Sequence, residues 1–446
     1  MALDTTNILG RGAVKDTYNL LADGIVKLAR VLARQAGREL AAWAEQHGYG
    51  RDVTTSSLKG AAEIDWSDPE QRRRFLGEVV ADADRLLDQA RRARAGLDDG
   101  SAEDAALVEA AGVVSRVLQQ DLEWRADGPA LKQGVADDRL VSVHDPEMRH
   151  GRKSTTKRFD GHKAAVVVDT DTQLITAVTV VPGNAQAHEQ ALELVEQTEA
   201  TTDCEVEVSI GDGASGDGQT RQAFADATRE LVAKIGTATN QGRFPKTAFR
   251  IDLDVLSCTC PGGQTTSDLK KGGPGPGRFH FAAAVCGPGP LRAQCVKGAG
   301  ARTVDLHAQE GLLQGARELQ ASPAFGEYLR QRQVVEHRLA RLVQLGIRQA
   351  RYVGRAKTAF QLLMAAAVAT LTLLANAAAA EPAPTVVVGA VSALAGLLLA
   401  LWGCRECSVA PDSGRGPRAS DLADPALRPP SPAAVAFTIA GFRLRF

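Results

Sequence analysis

Between Glu205 and Asp212 the chain alternates: Val206, Val208 and Ile210 are separated by Glu205, Glu207 and Ser209. A period of two predicts a strand, and Asp212 keeps the parity of its apolar face. Glycines at 211, 213 and 216 end the strand. The Asp212 carboxylate is therefore expected at the strand's carboxyl end, where open α/β sheets place their sites. An Asp that merely starts a turn is the competing reading. Further on, Val335, Leu339, Leu342 and Gly346 fall on one stripe at helical spacing, with Glu336 at its edge.

The same periodicities divide the rest of the chain. Residues 13–138 read as a charged helical insertion, with helices over Val14–Gln46, Pro69–Leu97 and Ala102–Leu122 broken by Gly- and Asp-rich turns. Ala164–Val168 and Leu174–Val181 flank a turn at Thr170–Thr172 and predict a hairpin, and a helix over His188–Thr198 follows. With residues 1–12 as a first strand and 139–218 as the core strands, the order is compatible with an α/β fold around a mixed sheet. Residues 219–325 form a second insertion, with a strand over Ile251–Leu256. Residues 326–380 hold the Glu336 helix and a terminal Ala-rich helix, Thr358–Ala380. Residues 381–446 form a tail.

Charge changes this picture locally rather than globally. The net charge is −1, so the chain as a whole is no polycation. Yet between Tyr328 and Lys357 eight basic residues surround the single acid Glu336, and Glu147–Lys163 holds six basic residues against two acids. Local basic patches suffice for a nucleic-acid track. One carboxylate among many cations suits a metal-binding acid beside a polyanion, although a solvated basic helix with an incidental Glu gives the same pattern.

A third acid stands in Ala2-Leu-Asp4-Thr-Thr-Asn-Ile-Leu-Gly10. Together with Asp212 and Glu336 it resembles the DDE transposases of bacterial insertion sequences, whose RNase H-like core opens on an Asp-Ser/Thr-Thr strand. His144-Asp-Pro-Glu-Met-Arg149, Gly161-His-Lys163, Val178-Thr-Val-Val-Pro-Gly-Asn184 and the Tyr328–Glu336 helix match in the same order, and the resemblance spans roughly residues 1–376. It differs in two places: only three residues precede Asp4, and Val343 stands where many relatives carry Lys.

The resemblance implies an RNase H-like mixed sheet flanked by helices, with a helical insertion after the first strand and a cysteine-containing one before the Glu helix. It implies a catalytic triad of Asp4, Asp212 and Glu336 binding two Mg2+ or Mn2+ ions about 3.5–4 Å apart, for DNA strand cleavage and strand transfer. Lys153, Lys157, Arg158, Lys163, Tyr328, Arg332, Arg338 and Arg341 are the expected DNA contacts. Element ends and target DNA are the implied partners, bound by a homo-oligomer in the cytoplasm on the nucleoid. An inactive relic with residual DNA binding, and a membrane-tethered protein of unrelated function, are the alternatives.

Cys258, Cys260, Cys286 and Cys295 could form a four-thiolate zinc site, but their spacings lack paired C-x2-C knuckles, and Gly289 stands where relatives carry a cysteine. Reduced free thiols are the preferred reading, and seven cysteines, an odd number with no secretory signal, argue against a disulfide framework. Thr385–Gly403 is uncharged and long enough to span a bilayer, whereas Pro411–Pro432 has the composition of a disordered segment.

Overall fold

One eight-residue strand organises the core. In the computed structural model, which describes residues 1–380 apart from 155, 187, 188, 273, 274 and 299, strand β1 (Ala2–Leu9) pairs on both sides. Along one side it runs antiparallel to β3 (Arg158–Val168), from Ala2 opposite Val168 to Leu9 opposite Gly161. On the other it runs parallel to β5 (Val208–Gly211), with Ala2 beside Ile210, and β5 in turn carries the parallel strand β6 (Glu230–Ala233). Strands β2 (Arg149–Arg152) and β4 (Ile175–Pro182) also pair antiparallel with β3. The mixed six-stranded sheet thus has the order β2–β3–β1–β5–β6, with β4 added on β3. The Thr385–Gly403 run and the Pro-rich tail lie outside the described residues.

Alternation sends the two sides of β1 to two cores. Ala2 and Ile8 join Ala164, Val166 and Val168 beneath two helices, α7 (Ala324–Leu342) and α8 (Arg355–Ala380). Leu3 joins Ala165, Val167 and Ala177 on the opposite face beneath α4 (Ala191–Thr202), with Phe224 of α5 (Gly218–Asp226). Asp4 has the parity of Ala2 and Ile8, so it belongs to the α7 face. Helix α7 buries Val335, Leu339 and Leu342, each worth roughly 1.5–3 kcal/mol when removed from water. Gly346 is not on that stripe: it has φ 93° and turns the chain. Beyond it the backbone returns alongside β1, Leu9 N–H donating to Arg348 O (2.9 Å) and Ala350 N–H to Leu9 O (2.8 Å).

The helical insertion packs as its own layer between β1 and β2. Helices α1 (Thr17–Gln35), α2 (Pro69–Arg94) and α3 (Ala102–Asp121) are N-capped by Asp16, Asp68 and Ser101, each accepting backbone N–H groups of the first turn. They bury Leu21, Ile25, Leu28, Val79, Leu86, Leu107 and Val114 in a separate core. The expected helix over 14–46 is two, because the chain turns at Gly37 (φ 64°) before a second helix, Leu40–His47. The helix placed at His188–Thr198 is α4, begun later; His188 is not among the described residues. The strand placed at Ile251–Leu256 covers only Arg250–Asp252, one of seven strands described in residues 219–325, of which Glu230–Ala233 belongs to the core sheet as β6.

Among the described residues one helix, Arg355–Ala379 of α8, is long and apolar enough to cross a membrane. It buries Leu362, Ala365, Ala366 and Ala369 against the sheet core.

The β1–β3 register depends on Gly161. It has φ 150°, and a Cβ there would lie 2.2 Å from Ile8 O and 2.4 Å from Gly10 N. Gly161→Ala should therefore cost on the order of 2–4 kcal/mol in denaturant unfolding. A loss below about 0.5 kcal/mol would show that the strand pair tolerates a side chain there.

Candidate active site

The sheet register brings the first two acids together. With Ala2 beside Ile210 in parallel pairing, the same offset two residues on sets Asp4 level with Asp212, just past the end of β5. Asp4 and Asp212 are both among the residues around one small cavity that also touches Leu3, Val166, Leu194 and Ser215. Asp212 does start a turn, Oδ1 accepting from Ala214 N–H (2.9 Å) and Ser215 N–H (3.3 Å), so the two readings of this residue are compatible.

Helix α7 supplies the third acid and a cation between the acids. The Arg332 guanidinium donates from Nη2 to Asp4 Oδ2 (2.6 Å) and from Nη1 to Glu336 Oε1 (2.7 Å). The Arg332 and Asp4 side chains are largely buried, while that of Glu336 is 57% exposed. Burial raises the Asp4 carboxyl from 3.8 to about 6, and the negative charges of Asp212 and Glu336 add to the rise; Arg332 and the Thr5 N–H oppose it. Asp212 and Glu336 therefore both act electrostatically on Asp4, although Asp4 and Glu336 lie 332 positions apart.

The family comparison agrees with this core. The model of the transposase DDE domain matches residues 129–371, more than half of the chain. The chain belongs to that family. Asp212 and Glu336 fall inside the matched span, and Asp4 precedes it, across the helical insertion. No curated protein and no solved structure was found to match the chain.

Of the basic residues expected to contact DNA in this transposase domain, three are exposed: Lys153, Lys157 and Arg158, around the turn joining β2 to β3. Lys163 is half-buried instead: its ammonium donates to Ala185 O, and burial lowers its pKa. Arg338 donates to Gln173 Oε1 (3.1 Å) in the β3–β4 turn, and Arg341 to Gln344 Oε1 (3.3 Å); Tyr328 is half-buried on the first half of α7. Arg332 faces the acids rather than solvent. The basic run around Glu336 is thus largely satisfied internally, which its charge pattern could not reveal.

The structure also adds positioning residues that neither periodicity nor charge pattern singles out. Arg348 Nη1 donates to Thr6 Oγ1 (3.0 Å) and Asn7 Oδ1 (2.6 Å), fixing the end of α7 to β1. Glu147 accepts from Arg355 N–H (2.7 Å) and Nε (2.8 Å) at the start of α8. Asp145 is fully buried beside the equally buried His162, Oδ2 lying 3.6 Å from Nε2. The His144–Arg149 motif is thereby explained as an anchor for the lead-in loop. The i,i+4 spacing of Arg332 and Glu336 was the one legible signal of their ion pair.

The proposed cysteine quartet is not assembled. Cys258 is fully buried in the second insertion's core, and burial pushes its thiol up to about 11. Cys260, Cys286 and Cys295 instead line a separate cavity of about 270 Å³ with Gly289. Among the described residues no three His, Cys, Asp or Glu side chains stand close enough to hold one metal ion. Cys258 is buried within the strand Ser257–Thr259, whereas Cys260, which would share its parity, lies beyond the strand's end.

The raised Asp4 pKa has a defined sign in stability. A carboxyl that is harder to ionise in the fold stabilises the folded state below about pH 4, and this contribution is lost as pH rises through about 6. Relative to Asp4→Asn, the metal-free wild type should lose on the order of 2 kcal/mol of unfolding free energy between pH 4 and 7. Parallel pH–stability curves for the two proteins would refute the raised value.

Proposed function

We propose that this transposase domain cuts and joins DNA at a metal-dependent site formed by Asp4, Asp212 and Glu336. The observation that supports the reading is that Arg332 joins Asp4 of β1 to Glu336 of α7, with Asp212, just past β5, acting electrostatically on Asp4. Supporting it, the mixed sheet has the order β3, β1, β5 and β6 with β1 central, which is compatible with an RNase H-like reading. The donors are carboxylate oxygens, the chemistry that hard divalent ions such as Mg2+ or Mn2+ prefer, but among the described residues no three of them stand close enough to hold one ion while Arg332 lies between Asp4 and Glu336. Two such ions, when bound, supply activation of a water or 3′-hydroxyl and stabilisation of the leaving phosphodiester oxygen.

The chain's own residues set the rest. Asp4 and Asp212 are held at fixed height by the sheet, so they present oxygens with little loss of freedom on binding. Glu336, exposed on α7, is the adjustable member. Arg158 lies eight residues along β3 from Val166, the partner of Asp4, or roughly 27 Å at strand rise. At about 3.4 Å per base pair, DNA leading from the acids to the β2–β3 turn would run about eight base pairs. Lys153, Lys157 and Arg158 then hold the backbone, giving affinity without sequence information. Element ends and target are the DNA partners, which places the working protein on the nucleoid, and joining two ends calls for more than one copy of the chain.

Asp212→Ala removes a carboxylate from a strand end without opening a core cavity. It should reduce Mg2+- or Mn2+-dependent nicking of DNA carrying the element's ends to background, while leaving duplex binding intact. If the unmutated chain shows no cleavage that this substitution removes, the domain binds DNA without performing the chemistry.

Replacing Lys153, Lys157 or Arg158 singly with Ala should lower the slope of log binding constant against log salt by about 0.9 for each phosphate no longer neutralised. Titrations across salt concentrations with unchanged slopes would return the turn to ordinary solvated surface.

A further inference from the structure

Arg332 is the element of the acid cluster that a metal-dependent cleavage reaction does not obviously need where it stands. Its two terminal nitrogens are both committed, one to Asp4 from the opposite end of the chain and one to Glu336 a turn further along α7. Its side chain is only 14% exposed, and Nε has no partner. A guanidinium remains protonated at every physiological pH, so no change of pH switches this bridge off. Among the described residues none of the acids stands in a group able to hold one ion while this bridge is made.

We propose that Arg332 is an internal counter-cation that must leave the acid cluster before a divalent metal ion binds, and that a DNA phosphate draws it away. The inference rests on the metal-dependent reading above and adds a control to it. A phosphate can take both terminal nitrogens at once in a bidentate fork, where Arg332 now gives one to each of two separate carboxylates. Glu336 is exposed and Arg332 sits on the same helical face one turn before it, so a swing of one long side chain exchanges partners without moving the sheet. Metal and DNA then bind cooperatively: whatever factor DNA adds to metal affinity, metal adds to DNA affinity. In the absence of DNA the acids remain neutralised by their own arginine, and free metal does not load a site with no substrate in it.

The test is Mn2+ binding to the full chain, followed by the electron-spin resonance of free Mn2+, with and without a short duplex. Arg332→Gln should bind Mn2+ at least about tenfold tighter than wild type without DNA. The duplex should tighten Mn2+ binding to wild type by about 5–150-fold, the usual range of coupling, and change Arg332→Gln little. Arg332→Lys, which keeps the charge but not the fork, should fall between them, and it carries the comparison if Arg332→Gln proves unfolded by circular dichroism. Equal Mn2+ affinity in wild type and both variants, with Asp212→Asn weakening it, would overturn the role of Arg332 and leave the metal site standing. No Mn2+ binding by any of them would remove both.

Discussion

Register along β1 is the constraint on which the rest of this domain depends. The strand is antiparallel to β3 over all eight residues and parallel to β5 through Ala2 and Ile210. A slip of one residue would turn Asp4 to the α4 face and Leu3 into the acid cluster, because successive side chains of a strand point to opposite sides. Gly161 permits the close approach at one end of this pairing, and Arg348, bound to Thr6 and Asn7, fixes the returning chain after α7. The position of α7, and with it Glu336 and Arg332, is thus read off the same strand.

The charge balance of the domain is local. A net charge of −1 conceals a basic stretch in which several arginines are engaged by the fold: Arg330 with Glu327 and Arg332 with Asp4 and Glu336 on α7, Arg348 with β1, and Arg355, at the start of α8, with Glu147. Surface pairs such as Arg330–Glu327 add little stability, whereas those that join distant segments fix geometry. Lys153, Lys157 and Arg158 at the β2–β3 turn stay exposed instead.

Much of this was legible in the sequence, and the remainder was hidden for identifiable reasons. Val206, Val208 and Ile210 announce the strand before Asp212, and Val335, Leu339 and Leu342 announce α7, because each buries one face and so shows a clear period. Strand β2 carries no such signal, since Arg-His-Gly-Arg has no apolar alternation; its pairing comes from β3 alone. The expected long helix at 14–46 fails at Gly37, where a left-handed turn interrupts an otherwise continuous pattern. Charge runs count cations but not their partners, so Arg332 reads as a phosphate contact although its nearest anions include one 328 residues away. The cysteines mislead similarly, since spacing does not say which thiol a strand buries.

The order in which the chain is made acquires a meaning from the sheet order. Asp4 is translated 328 residues ahead of Arg332, and Glu336 follows a turn of helix later. At about 5–20 residues per second the interval is roughly 16–66 s. Throughout it the helical insertion, whose core is separate from the sheet's, can fold by itself, while β1 waits for β3 and β5 to be translated. A nascent chain that has not reached α7 therefore carries isolated acids but no assembled cluster, and synthesis itself delays any DNA-cutting capacity until the domain is nearly whole.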